Sequence, residues 1–464
     1  MSDTISACPF AAAALPGDGT PLTPSPTLAS WREAGAAVPL QFQDGHEGLV
    51  GTRYDFVRAI LEDNRFSMRP ERMPMGPSGH VSDDEDLPNA ALPAELPGEL
   101  DEAAQRSEWS NLLILDGEAH SRLRRIAMPR FSVKQVRGRR EWIAEMVAEE
   151  LAKLKAKGTP ADVWVDYARP IAARTHCRVI GIPDAEYDEF VRLFVDNSTA
   201  QEKYNFIRRV LEMRENDPGE DVISDLLASD AISREETEGL LRLLLGAGRD
   251  SVAYLIATAT VALLSNPEQL ETLRAQPELF DTVIEEFMRV GAMFVTLFPR
   301  TALEDVEIEG VSIKAGQSVS VSPVAANRDP AQWERAEEFD VSRDAFGHLG
   351  FGHGIHGCIG QQLARVEIRE GIRQLIEERS DAERKPATGI RQLHAPPSTG
   401  EEGRSQPILQ VPDMAADRSM GDEKLSRRFR EADEPGGGLE GLKGIQRWKT
   451  TSQERTCEFL LQAA

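Results

Sequence analysis

Cys358 stands in the segment FGHGIHGCIGQQLAR, where Gly352, Gly354, Gly357 and Gly360 surround a single cysteine and a strongly periodic helical pattern begins directly after it. Glycines let a backbone turn tightly and approach a flat ligand closely. A cysteine at a helix N-terminus meets unpaired N–H groups and the positive end of the dipole, and both favour thiolate over thiol. Three chemistries compete for such a residue: a buried structural cysteine, a zinc ligand together with His353 and His356, and a thiolate bound to haem iron. The H-x-x-H-x-C spacing is awkward for zinc and offers no obvious fourth ligand, and the glycine pattern favours haem.

A second candidate site lies in LLGAGRDS. Gly246 and Gly248 fall in the middle of a helical pattern, although each costs about 1 kcal/mol relative to alanine. Either another element packs closely there, or the helix widens locally beside Asp250 and Ser251 to admit dioxygen and water. Glu286 and Arg289 are spaced i, i+3 in VIEEFMRV, so they share a helix face. On their own they read as a surface pair worth a few tenths of a kcal/mol. Among basic side chains, His120 and Arg124 lie four apart on one helix face, Arg300 follows a proline, and His356 stands two residues before the cysteine.

These residues need a scaffold, and the chain of 464 residues is long enough to bury a cofactor. Residues 1–30 are rich in Pro, Gly, Ser and Thr and read as an extended arm on a body beginning near Trp31. Helical spacing marks the segments from Tyr54, Glu118 and Arg140, and a continuous one from Asp188. The stretch from about Ser67 to Ser107, dense in Pro, Met and acidic residues, reads as a disordered loop or a lid. Ser233 and Glu236 form a capping box that opens an exceptionally long helix carrying Asp250 and Ser251. From Leu303, apolar and polar residues alternate between glycines, a hairpin-like signal. The expected fold is therefore one mainly α domain, residues 31–380, with a minor β region.

Composition narrows the function. A formal charge of -24 argues against a general nucleic-acid binder. Four scattered cysteines suit a reducing compartment rather than a disulfide framework. The apolar N-terminal run lacks a preceding basic region, and no window reaches the roughly 18 apolar residues of a membrane span. A soluble, cytoplasmic protein is expected.

Phe351, Gly352, Gly354, Cys358 and Gly360 fit F-G-x-G-x-x-x-C-x-G, and in this the chain resembles the cytochrome P450 family. QLAR after the cysteine, E-x-x-R at Glu286 and Arg289, AANRDP from Ala325 and FDVSR from Phe339 agree with that family in order. The resemblance implies haem b with Cys358 as axial thiolate. It makes Glu286 and Arg289 a buried lock near the haem, with Arg343 as third partner, and makes His120, Arg124, Arg300 and His356 propionate partners. LLGAGRDS is similar to the A-G-x-D/E-T pattern, in which acid and alcohol deliver protons; Ser251 replaces threonine and lacks the methyl group that restricts its rotamer. Leu244, Ala247, Val295, Thr296 and Leu297 are the candidates for the substrate pocket. The implied reaction is oxygen insertion, usually hydroxylation, into an apolar molecule.

The same resemblance implies a ferredoxin or flavodoxin-type donor with an NAD(P)H-dependent reductase, since no reductase segment is attached. The run from Ser121 to Arg140, with eight basic residues and no acidic one, is the expected docking face. After about residue 380 the likeness stops. Polar, glycine-rich sequence replaces the terminal strands, with only QPILQVPDM strand-like, so residues 381–464 form a divergent region. That departure raises a rival reading, a catalytically impaired haem binder. A peroxide-driven peroxygenase is a second rival, against which Asp250 and Ser251 argue.

Overall fold

A computed structural model describes residues 14–16, 18–42, 45–69, 95–96, 98–158, 161–195 and 198–384. Its helices are α1 (Pro26–Ala34), α2 (Tyr54–Glu62), α3 (Glu102–Glu108), α4 (Gly117–Ala127), α5 (Val133–Lys157), α6 (Arg169–Ile180), α7 (Tyr187–Val195), α8 (Ala200–Asn216), α9 (Val222–Leu227), α10 (Arg234–Ser265), α11 (Pro267–Ala275), α12 (Val283–Val290), α13 (Pro323–Ala326) and α14 (Gln361–Arg384). The strands are β1 (Ala37–Gln41), β2 (Glu47–Gly51), β3 (Phe66–Ser67), β4 (Glu95–Leu96), β5 (Ser198–Thr199), β6 (Arg300–Ala302), β7 (Val306–Ile308), β8 (Val311–Ile313) and β9 (Ser318–Val321). The expected mainly α architecture with a minor β region is what the chain adopts.

Helix α10 is the axis. Ser233 Oγ accepts from the Glu236 N–H at 3.2 Å while the Glu236 carboxylate accepts from the Ser233 N–H at 2.9 Å, so the capping box starts it as the sequence says. Its 32 residues extend roughly 48 Å at 1.5 Å per residue. Buried residues occur on every side of it, because α3, α6, α8, α11 and α12 pack around it. Gly239 admits the closest of these contacts: a Cβ there would stand 2.1 Å from the Ser107 carbonyl oxygen at the end of α3.

The main core gathers apolar side chains of α5, α6, α10, α12 and α14. A second cluster joins α2 to the sheet. That sheet has the order β1-β2-β9-β6-β3, with β2 and β9 parallel and the other pairs antiparallel. The alternating stretch from Leu303 becomes the β7–β8 hairpin, whose Glu309 and Gly310 both take positive φ, the geometry a tight two-residue turn requires. β9 then leaves the hairpin for the main sheet.

Two expectations change. The pattern from Asp188 is not one helix: β5 separates α7 from α8, and a second capping box, Thr199 with Glu202, restarts the chain. The N-terminal arm is not extended to residue 30, because Ser25 caps α1 and Pro26 occupies its first turn, which leaves Trp31 buried inside a helix. Within the expected lid, residues 102–108 are helical, whereas 70–94 lie outside the described residues, as do the strand-like QPILQVPDM and everything after Arg384. Among the described residues, no helix is long and apolar enough to cross a membrane.

Candidate haem site

The cysteine loop is built from backbone. Gly352 and Gly354 take φ of +67° and +68°, which side chains disfavour. A Cβ on Gly354 would also stand 2.2 Å from the Leu61 carbonyl oxygen, so α2 presses directly on the loop. The Cys358 N–H donates to the Phe351 carbonyl at 2.8 Å and closes the turn ahead of α14. Arg365 on that helix stacks 4.6 Å over the Phe351 ring and grips Glu285 at 2.6 and 2.8 Å.

Cys358 is exposed at the start of α14. Desolvation by the surrounding atoms nevertheless pushes the thiol above its ordinary value, against the N–H groups of Gly360 and Gln361 and the charges of Arg124 and Arg365. The N–H groups at the helix start favour thiolate as expected, but in the chain alone desolvation opposes them; a bound metal ion would favour loss of the proton. The structural reading belongs instead to Cys177, which is buried with its thiol pushed far up. The zinc reading fails, because His353 pairs with Glu62 and His356 turns its Nδ1 to the Leu112 carbonyl at 3.2 Å. Among the described residues, no three His, Cys, Asp or Glu side chains gather as a metal site.

His120, Arg124, Arg300 and His356 are buried or partly buried. The His120 and His356 rings lie 4.5 Å apart; both His120 nitrogens and His356 Nε2 are buried with no hydrogen-bond partner. Arg124 donates to the Gly357 carbonyl at 2.6 Å, beside the cysteine. Arg300 is 4% exposed, and burial pushes its guanidinium down to about 10. His120 is pushed down to about 4 by burial and by the charges of His356 and Arg124, so in the chain alone it is a neutral donor and not the cation the sequence suggests. Asp116 lies 3.9 Å from His356 Nε2 and its charge reaches Arg300. Among the described residues, however, the His120 nitrogens and the Arg300 guanidinium have no carboxylate in direct contact, and buried donors in that condition are costly until an anion arrives. The two propionates of a haem would meet this demand, with Cys358 as the sulfur donor, and the residues present fit that group.

The E-x-x-R pair is no surface bridge. Glu286 and Arg289 are both fully buried, bonded at 2.7 and 2.9 Å. Arg289 also donates to the carbonyls of Asn327, Ala336 and Glu338, while Arg343 reaches Glu286 at 3.3 Å. Three segments before the cysteine loop are thereby tied to α12.

On α10, Asp250 bonds Arg249 at 2.5 Å and lies 3.8 Å from Arg169 at the start of α6. Ser251 donates to the Ala247 carbonyl at 2.8 Å. Helix α10 is unbroken here, and a Cβ on Gly248 would stand 2.4 Å from the His176 ring, so close packing accounts for that glycine. Of the pocket candidates, Ala247, Val295, Thr296 and Leu297 are half-buried, whereas Leu244 is buried in the main core. Ser322 and Ser320, which sequence reasoning missed, hold the carbonyls of Val295 and Leu297 at 2.6 and 2.5 Å and so fix that loop to β9. An alternating strand shows where such serines point, but not what they hold.

Comparison with known proteins agrees with this geometry. Residues 161–379 match the family pattern of Cytochrome P450. The chain is 34% identical over 352 residues to the mycinamicin IV hydroxylase/epoxidase of Micromonospora griseorubida, covering 72% of this chain and 82% of that one. It is 32% identical over 369 residues to the 6-deoxyerythronolide B hydroxylase of Saccharopolyspora erythraea, covering 75% and 87%. The crystal structure of CYP105P1 in complex with filipin I superposes with a TM-score of 0.68 at 28% identity, over 79% of this chain and 91% of that one. This chain therefore belongs to the cytochrome P450 family of haem-thiolate monooxygenases, with Cys358 as the axial ligand.

Proposed function

We propose that this protein inserts one oxygen atom of O2 into a hydrophobic small organic molecule, with electrons from a separate donor and a cytoplasmic site of action. The observation that carries the reading is the exposed Cys358 in its glycine-rich loop, with the buried, partnerless nitrogens of His120 beside His356 and the desolvated Arg300 as anion donors. Haem b, when bound, supplies the one-electron and dioxygen chemistry, with thiolate electron density assisting O–O cleavage. His120, Arg124, Arg300 and His356 hold its propionates. Phe351, Gly352 and Gly360 shape the ligand loop, and Glu286, Arg289 and Arg343 brace it. Asp250 and Ser251 hold and pass protons, while Ala247, Val295, Thr296 and Leu297 line the substrate side and Leu244, expected there from the sequence, belongs to the main core.

The donor we infer is a ferredoxin or flavodoxin-type protein with an NAD(P)H-dependent reductase. Its docking face is narrower than the eight basic residues of the run from Ser121 to Arg140 suggest. Arg122, Arg130 and Arg140 are paired with Glu236, Asp225 and Glu370. Arg125, Lys134 and Arg137 remain exposed beside the apolar Met128 and Val133. A mixed patch of this kind suits an acidic partner whose association weakens with salt.

The test is reconstitution. Haem-loaded protein is expected to give the thiolate-type ferrous carbonyl spectrum and to couple NAD(P)H oxidation to product with ferredoxin and reductase, and Cys358→Ala is expected to lose that spectrum. Mycinamicin IV and 6-deoxyerythronolide B are first probes for the high-spin shift that accompanies substrate binding. Loss of the spectrum in the parent chain would leave only an impaired haem binder. Peroxide-driven turnover above the reconstituted rate would replace this reading with a peroxygenase.

A further inference from the structure

His348 precedes Cys358 in the chain and Arg365 follows it, yet both side chains reach one carboxylate, that of Glu285 on α12. Arg365 donates from Nε at 2.6 Å and from Nη2 at 2.8 Å, and His348 Nε2 lies 3.0 Å from Glu285 Oε2. The other imidazole nitrogen settles the tautomer. The Gly350 N–H donates to His348 Nδ1 at 3.0 Å, so Nδ1 is an acceptor and the proton of this buried ring is carried on Nε2, facing Glu285. Every polar atom of the ring is therefore in use.

Both arms of Glu285 end on the same side chain. The His348 ring packs on the Phe351 ring with centroids 5.7 Å apart, and the Arg365 guanidinium stands 4.6 Å over that ring. The Phe351 carbonyl in turn takes the Cys358 N–H at 2.8 Å. Between His348 and Phe351 the backbone is pressed against α12, because a Cβ on Gly350 would stand 2.5 Å from the Met288 carbonyl oxygen, and Asn327 Oδ1 takes the Leu349 N–H at 2.7 Å. One carboxylate thus ties down the chain before and after the cysteine through charge-assisted bonds, which are stronger than neutral ones. Contacts one layer behind a ligand of this kind orient it and tune the metal it holds.

We infer that His348 is a positioning residue for the axial ligand: it carries the hold of Glu285 to the leading side of the cysteine loop, so that Phe351 and the Cys358 N–H are set in place before haem arrives. The inference needs Cys358 as the axial ligand and does not depend on the reaction proposed above. His348 acts through Glu285 and Phe351 and touches no reactant itself.

The test separates the two bonds of the imidazole. His348→Gln places an amide N–H near the position of Nε2 and keeps the bond to Glu285, whereas His348→Asn places an amide oxygen near that of Nδ1 and keeps only the bond from Gly350. Glu285→Met removes both arms at once. The readouts are hydrogen exchange of the Cys358 amide in the haem-free chain and the reduction potential of the haem-bound protein, taken on the fraction with the thiolate-type ferrous carbonyl spectrum. Exchange should quicken severalfold in His348→Asn and the potential should shift, with His348→Gln returning both toward the parent. Glu285→Met should exceed His348→Asn in both readouts, and adding His348→Asn to it should change little, because the link is already gone. A ring that only fills space or serves its own turn predicts that His348→Asn lies as near the parent as His348→Gln or nearer, and that ranking overturns the inference. So do additive effects in the double variant, or quicker exchange in His348→Asn with an unmoved potential. If Glu285→Met does not fold, the ranking of the two His348 variants decides.

Discussion

Two regions of this protein, the frame behind Cys358 and the turn of α10 from Gly248 to Ser251, satisfy their polar groups to different degrees. In the frame, Glu286 and Arg289 are fully buried, and each is met by several partners: Arg289 by one carboxylate and three carbonyls, Glu286 by Arg289, Arg343 and the Asp340 N–H. In the α10 turn, Asp250 Oδ1 and His176 Nε2 are buried without a hydrogen bond, and Ser251 spends its donor on its own helix. A satisfied network has one low-energy arrangement and is costly to break. A turn with unspent donors and acceptors leaves groups available to water or ligand. Rigidity thus lies behind the axial ligand, and adaptability lies beside the acid–alcohol pair.

The sharpest way to break this contrast is Arg289→Ala. It strands a buried carboxylate and three carbonyls, so a loss of about 3–5 kcal/mol is expected in urea unfolding of the haem-free chain. A loss below about 1 kcal/mol would mean that the frame is not what holds the loop. Next comes Glu285, bonded to Arg365 and to His348 at 3.0 Å. Burial alone would raise its carboxyl, but hydrogen bonds from Arg365 and His348 outweigh that and bring it from 4.5 down to about 2. A folded value below the unfolded one stabilises the fold above pH 4.5 and ceases to do so as pH falls through about 2. The upper limit is about 3 kcal/mol. In Glu285→Gln the unfolding free energy should be flatter over that window, and an unchanged slope would remove the pair from the frame.

Arg300 stands between the two regimes, as a buried cation bonded only weakly, at 3.5 Å, to the Phe298 carbonyl. Arg300→Met should weaken haem binding about tenfold to hundredfold, the worth of a hydrogen bond to a charged group. The haem-free chain should be no less stable than the parent, because a desolvated charge has been removed. Haem transfer kinetics and denaturation of the same two proteins check both halves. Destabilisation of the haem-free form would place Arg300 with the frame.

The parts of this arrangement that the sequence made legible are local. The Ser233–Glu236 box, the alternation that becomes β7 and β8, and the glycine spacing around Cys358 each depend on residues a few positions apart. Thr199–Glu202 carried the same capping signal and was hidden by apolar periodicity continuing across it. What could not be read is what depends on neighbours distant in sequence. An i, i+3 Glu–Arg pair looks alike buried or exposed, and RTHCRV reads as plain helix until Gly248 is seen against His176. The basic run from Arg122 to Arg140 looked like an open patch because its acidic partners lie on α9, α10 and α14.

Ser251→Ala tests the adaptable side of the comparison with the smallest expected effect on the fold. The hydroxyl makes one bond, to a carbonyl that the helix already pairs. Its net worth is about 0.5–1.5 kcal/mol at most, and relief of the competing donor offsets part of that. The urea midpoint of Ser251→Ala should therefore lie close to that of the parent, far from Arg289→Ala, while the share of reducing equivalents lost as hydrogen peroxide rises in the reconstituted enzyme. A destabilisation matching Arg289→Ala would show that the α10 turn belongs to the frame, and the contrast between the two regions would collapse. An unchanged peroxide share with an unchanged midpoint would remove the serine from proton delivery.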